Sequence, residues 1–384
     1  MIFNRNLKLR TTLISPFFLA LWLTIPNLLV FLSSNSPLIQ EVVFLLGIFI
    51  YFFVFGFNLY KISSINLLVF LAFFIPIIFS FLFNLNKPIV LISVLNFLIF
   101  AYILAIFSQI KPNIFLEGCR LYSIFNFLIL IFLYFLFSAS SQGRILIEGV
   151  QPNYIGLVCL TVALTSVLIK NKILMFFIYS FSLYLSYYIS SRTTMMCLIL
   201  LGFLLLVVKI KNYPRTLVIF CGFSVLTFFL YLENILLFFN NIFMLDDSYR
   251  GMDTGFSGRA DRWEIAFSYI KENILFGVGF KTGEETLGFT TDNGYISIFL
   301  ELGFWGILNY FIVIMISIFF ALKIFTNRFI DDQYLFCSFV VMVFAVYCFF
   351  EQRYVNFGNP LSYMVFFSIF TLFLINFRKA IPSD

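Results

Sequence analysis

Histidine is absent from all 384 residues. That absence removes the side chain that most often serves as a general base near neutral pH, and the commonest nitrogen ligand of bound metals. Chemistry here must fall to carboxylates, arginines, hydroxyls or amides. Charge is the second scarcity: 11% of residues are Asp, Glu, Lys or Arg, beside 62% hydrophobic ones, whereas soluble domains carry roughly 25% charged residues. No separate soluble domain fits within such a composition. Six cysteines, Cys119, Cys159, Cys197, Cys221, Cys337 and Cys348, lie in or beside apolar runs. They lack the paired spacing of a zinc site or disulfide framework and read as small core residues. The glycines of FGVGFKTG, Gly277, Gly279 and Gly283, fit neither G-x-G-x-x-G nor a Walker A loop, and no strand precedes them. No cofactor, metal or nucleic-acid partner is implied.

What fills the chain is a succession of apolar runs of about 17 to 25 residues, each long enough to cross a hydrocarbon core of about 30 Å as a helix. The expected fold is all-α: a polytopic integral membrane protein forming a single transmembrane domain over residues 1–384, with a large outer loop at 238–292. Twelve spans are expected, near 13–32, 39–57, 65–83, 88–108, 119–138, 153–169, 173–190, 193–208, 216–237, 293–320, 334–350 and 360–377. The first run follows Arg5, Lys8 and Arg10 but continues to about Leu32 without an A-x-A-like exit, so it reads as a retained helix rather than a cleaved signal. An even span count puts both termini on one face. That face collects Arg5, Lys8, Arg10, Lys61, Lys111, Arg120, Lys170, Lys172, Lys209, Lys211, Arg215, Lys323, Arg328, Arg378 and Lys379, whereas the short loops of the other face hold only Lys87, Arg144, Arg192 and Arg353. The excess of positive charge assigns the termini to the cytoplasm and the long loop to the outside.

The long loop holds the densest charge. Trp263, Ala266, Phe267, Ile270 and Ile274 recur at helical spacing, which predicts an amphipathic helix from about Gly258 to Leu275, ended by Gly277 and Gly279. Such a helix suits the outer membrane surface. Arg259 and Arg262, three apart, project from neighbouring turns of one face, where two guanidinium groups suit one phosphate or two linked ones; pairing with Asp261, Glu264 or lipid headgroups is the alternative. After the loop, Asn293, Ser297 and Glu301 form one polar stripe on an apolar helix. An ionisable side chain as deep as Glu301 is a functional candidate by default, or else it bonds a neighbouring backbone. Asp292 stands at the water boundary. Three other outward features are expected to converge here: Arg144, Glu148 and Asn153 in SSQGRILIEGVQPNYIG, Arg192 in SSRTT, and Glu351, Arg353 and Tyr354 in EQRYVNFGNP.

SGRADRWEIAFSYIKENILFGVGF followed by DNGYISIFLELGFWG resembles the signature of the bacterial O-antigen ligase and polymerase superfamily: S-G-R, a tryptophan soon after, G-x-G, then an Asn-x-Tyr start to a span ending E-x-G-x-x-G. QPNYIG and SSRTT resemble two weaker landmarks, so the likeness runs from about Gln151 to Gly306. The resemblance implies an enzyme of the bacterial inner membrane, a glycosyltransferase acting at the periplasmic face on glycans carried by undecaprenyl pyrophosphate. It implies pyrophosphate or substrate binding by Arg192, Arg259, Arg262, Arg353, Asn293 and Tyr295, and catalysis by Asp292 with Glu301 second. Ligases of the superfamily usually carry histidine where this chain has Asp292. That departure favours a repeat-unit polymerase over a ligase to lipid A core. Its partners would be lipid-linked donor and acceptor, membrane lipids and a chain-length regulator. A lipid-linked oligosaccharide flippase is the remaining rival, although no repeat relates the two halves.

Overall fold

A computed structural model describes residues 2–32, 63–84, 112–136, 152–211, 255–326, 331–351 and 360–380, with the isolated positions 231 and 234. Backbone N–H and C=O groups that cannot reach water must bond within their own segment, which a helix achieves. Among the described residues every long element is a helix and there is no strand. In chain order they are α1 (Ile2–Leu32), α2 (Ser64–Phe83), α3 (Pro112–Leu136), α4 (Pro152–Ser166), α5 (Lys172–Tyr188), α6 (Arg192–Ile210), α7 (Gly255–Glu272), the short α8 (Gly283–Leu287), α9 (Gly294–Leu322), α10 (Asp332–Tyr347) and α11 (Pro360–Ala380).

Five of these helices are long and apolar enough to cross a membrane: Ser64–Phe83, Pro112–Phe135, Arg192–Ile210, Gly294–Phe325 and Pro360–Phe377. The expected spans near 39–57 and 88–108 lie outside the described residues, as does that near 216–237 but for positions 231 and 234. Each of the others coincides with a helix, shifted at some ends. α3 starts earlier than expected because Pro112 suits a first helical position and the charges that interrupt the apolar run pair with each other, Arg120 Nη2 to Glu117 Oε2 at 2.7 Å.

α2 shows how such a helix meets two surroundings. Val69, Phe73, Phe74 and Ile77 are buried against the protein, while Leu67, Leu68, Leu71, Ile75, Ile78, Phe79 and Leu82 are exposed. An apolar face of that extent suits hydrocarbon, not water. α4 is the opposite case. Every residue from Tyr154 to Ser166 is buried, because α3, α5, α6, α10 and α11 surround it.

Polar atoms inside the bundle are tied to one another. Asn27 of α1 donates to Tyr122 Oη (3.1 Å) and to Asn126 Oδ1 (2.8 Å) of α3, and accepts from Tyr154 Oη of α4 (2.8 Å). Asn126 donates to Thr24 Oγ1 at 2.9 Å, and Tyr122 Oη meets Thr161 Oγ1 at 2.8 Å. Sites without water penalise an unmade bond most, so this network fixes the start of α4 against α1 and α3.

The beginnings of α4, α6 and α9 meet the end of α10 at one end of the bundle. A Cβ added to Gly156 would collide with Ser191 and Thr194, and Gly294 N donates to Cys348 O at 2.8 Å. At the other end Lys211 donates to Ile324 O (2.6 Å) and Lys323 to Asn376 Oδ1 (3.1 Å). α7 lies at the first end, where Trp263 reaches Thr291, and the two lysines lie at the other.

Candidate active site

α7 presents its arginines inward. Ala266 and Ile270 are buried while Phe267, Ile265 and Ile274 are exposed, so the docked stripe continues backward through Trp263 and Arg262 to Arg259 at helical spacing. Trp263 Nε1 donates to Thr291 O at 2.8 Å, which pins this face beside the start of α9. Gly258 has φ +74, a left-handed value that glycine adopts without strain, and it offsets the first turn from the run that starts with Arg259. The helix stops at Glu272, not near Leu275. Its next residues turn away because Ile274 O accepts from Phe304 N of α9 at 2.7 Å.

Each arginine meets a carboxylate from a different element. Arg262 Nη1 lies 2.8 Å from Asp292 Oδ2, with the two side chains 41% and 28% exposed. Thr290 Oγ1 donates to the other oxygen, Asp292 Oδ1, at 3.0 Å. Arg259 Nη2 lies 3.8 Å from Glu351 Oε1, with side chains 19% and 7% exposed. Asn153, in the first turn of α4, donates its Nδ2 to that same Glu351 oxygen at 3.0 Å. Two cations and two anions thus lie along one helix face, one pair half-open and one enclosed.

Asn293 caps α9. Its Oδ1 accepts from Tyr295 N (2.9 Å) and Ile296 N (3.0 Å), and its Nδ2 donates to Phe349 O at 2.9 Å. Tyr295 donates its hydroxyl to Ala345 O at 2.9 Å and places its ring 4.6 Å from that of Phe349. Together they bind the start of α9 to the end of α10, and so hold Asp292 and Glu351 in register. Arg192 opens α6, next to the tight turn at Ser190, φ +54. Ser191 and Thr194 press on Gly156, one turn after Asn153.

Glu301 is turned to another task. It is 1% exposed and its Oε2 accepts from Lys281 N at 2.9 Å, which braces a residue held at φ +60. The carbonyls around it serve the same loop: Val278 N donates to Leu300 O (2.8 Å) and Gly279 N to Glu301 O (3.1 Å). These bonds cluster where α9 breaks at Gly303, φ +67.

The structure therefore brings together Arg259, Arg262, Asp292 and Asn293, sets Tyr295 and the Arg192 turn beside them, and seats Glu301 under the loop. Arg353 lies outside the described residues, as do Arg144, Glu148 and Tyr354. Asn153 and Glu351, two of the outward residues expected to converge here, do join the site, Asn153 through Glu351 and Glu351 beside Arg259. The expectation rested on their place on the outward face of the charge-derived topology; what it left open was which residue each would bond.

The helices and this site define a membrane-embedded protein with an arginine and carboxylate centre at one end of its bundle. Residues 174–311 match the family model described as O-antigen ligase, a likeness that supports the O-antigen ligase and polymerase superfamily. The match contains both arginines, Asp292, Asn293, Tyr295 and Glu301, whereas Asn153 and Glu351 lie outside it. That family covers ligases and polymerases, which supports a role in lipid-linked glycan transfer. No curated protein matches the sequence.

Proposed function

We propose that this chain is a repeat-unit polymerase: it transfers a growing glycan from undecaprenyl pyrophosphate to a hydroxyl of the next lipid-linked unit. The observation that carries the reading is the pair of arginines three residues apart on α7, Arg262 facing Asp292 at the start of α9 and Arg259 facing Glu351. In the reaction the sugar C1–O bond to the pyrophosphate breaks, the acceptor oxygen bonds to C1, and the hydroxyl proton leaves. Charge grows on the departing pyrophosphate, so guanidinium groups aimed at it stabilise the transition state more than the bound substrate. Arg259 and Arg262 take that role, aided by Arg192 and Arg353. Asp292, the more open of the two paired carboxylates, receives the proton once its arginine turns to phosphate. Asn293 and Tyr295 hold the two walls of the site at fixed separation.

The reading sets the protein in the bacterial inner membrane with both termini cytoplasmic and the site periplasmic. Support comes from the lysines Lys211 and Lys323 at the end of the bundle away from the arginines, as the positive-inside rule requires. A ligase to lipid A core is the second reading, favoured by the description of the matched family; Asp292 in place of histidine favours the polymerase. A deletion strain tests both. Its surface polysaccharide, run on a gel, is expected to show a single short band that wild-type protein restores to a ladder. Arg259→Ala, at equal protein level, should reduce polymer by at least about 100-fold. A normal ladder from that variant removes the pyrophosphate grip, and loss of even the single unit points to the ligase.

A further inference from the structure

We propose that Glu351 is an internal counter-ion for Arg259: it balances the guanidinium in the empty site and is displaced from it by the donor's pyrophosphate. The inference rests on the pyrophosphate reading above and adds to it a residue outside the matched segment, with a defined competition.

Three observations carry it. Glu351 is 5% exposed, so its charge is enclosed by protein. Its Oε1 is held by Asn153 Nδ2 at 3.0 Å, within hydrogen-bonding range, but stands 3.8 Å from Arg259 Nη2. Charge-assisted bonds of guanidinium to carboxylate run about 2.7–2.9 Å, so this pair attracts without sharing a proton tightly. The other pair on the same helix does reach that range, at 2.8 Å. Glu351 thus belongs to the wall made by α4 and α10, and Arg259 to α7.

The physical consequence follows from what each state lacks. An enclosed guanidinium without a partner is costly, so the empty site needs an anion near Arg259. A phosphate oxygen pair accepts two parallel N–H bonds from the guanidinium fork, which a carboxylate at 3.8 Å does not. The donor therefore displaces Glu351, whose bond to Asn153 keeps it from following. Donor and product both carry pyrophosphate, so a fixed competitor weakens both. Tight binding shared equally by both would slow release without lowering the barrier.

The test uses purified full-length protein in nanodiscs with undecaprenyl pyrophosphate as probe, reading the dissociation constant and the melting temperature without ligand. Glu351→Gln keeps an acceptor for Asn153 but removes the charge. It should bind the probe roughly tenfold more tightly, because a like charge beside the phosphate is gone, and should melt lower when empty. Asn153→Ala leaves the carboxylate untethered and able to bond Arg259 directly, so it should bind the probe more weakly than wild type. A scaffold role moves both variants in the same direction, so equal or weaker binding by folded Glu351→Gln overturns the proposal. If Glu351→Gln does not fold, the neutral pair Glu351→Gln with Arg259→Gln should fold, and its failure also overturns it. Arg259→Ala separates the two levels. If it binds the probe like wild type, or if wild type does not bind, the pyrophosphate reading falls and takes the counter-ion with it. Loss of binding in Arg259→Ala supports the pyrophosphate grip, and the affinity of Glu351→Gln then decides the counter-ion by itself.

Discussion

Asp292 has φ +50, a left-handed backbone state uncommon for residues other than glycine but several-fold enriched for Asn and Asp. Such a conformation persists where its surroundings hold it, here through Trp263 on Thr291, Thr290 on Asp292 and the Asn293 cap. Asn fits the same backbone, so Asp292→Asn removes charge with little strain. If Asp292 takes the acceptor's proton, the variant should transfer glycan about 100-fold or more slowly in a reconstituted assay with lipid-linked units. A wild-type rate would leave Asp292 as a partner of Arg262 only. At this scale the arginine pair was legible, since spacing of three on a helix needs no tertiary knowledge. Their partners were not. Asp261 and Glu264 are nearer in sequence than Asp292 or Glu351, yet both are exposed on the far side of α7, and only the docked face decides between them.

Between elements, the loop that follows α7 is clasped to the break in α9. Ser80 Oγ donates to Glu301 O at 2.7 Å and Asn84 Nδ2 to Gly277 O at 3.2 Å, so α2 joins the clasp from the side. Gly277 has φ +69, and a Cβ there would run into the Glu301 carbonyl. Gly277→Ala should therefore cost about 1–3 kcal/mol, seen as a lower melting temperature in detergent. Gly288→Ala is the control: φ is +76 but nothing lies within 4 Å, so it bears backbone strain without collision and should lose less. Sequence marked Gly277 and Gly279 as an end to the helix, and the structure bears out an end in this region. It did not show why glycine is needed, because the obstacle is a carbonyl from α9. Gly303 has two roles: its backbone breaks α9 at φ +67, and a Cβ there would run into the backbone of Leu275 and Phe276.

For the molecule as a whole, hydropathy located the long apolar helices among the described residues, and the distribution of basic residues gave an expectation of which end faces the cytoplasm. It left open which helix sits in the middle, because an apolar run reads alike whether lipid or protein surrounds it. α4 answers that question with a consequence for synthesis. At 15 residues it is about 22 Å long by the helical rise, short of a hydrocarbon core of about 30 Å. Thr161, Thr165 and Ser166 add polar atoms that lipid would not welcome, all buried in the finished protein. Two of the helices that shelter it, α10 and α11, begin only at Asp332 and Pro360. While the ribosome is still translating, α4 has no complete socket, so the insertion machinery is expected to shield it. A photo-crosslinker at Cys159, which is fully buried, should label that machinery in ribosome-bound chains that stop before Asp332. The label should disappear once α11 has been released into the membrane.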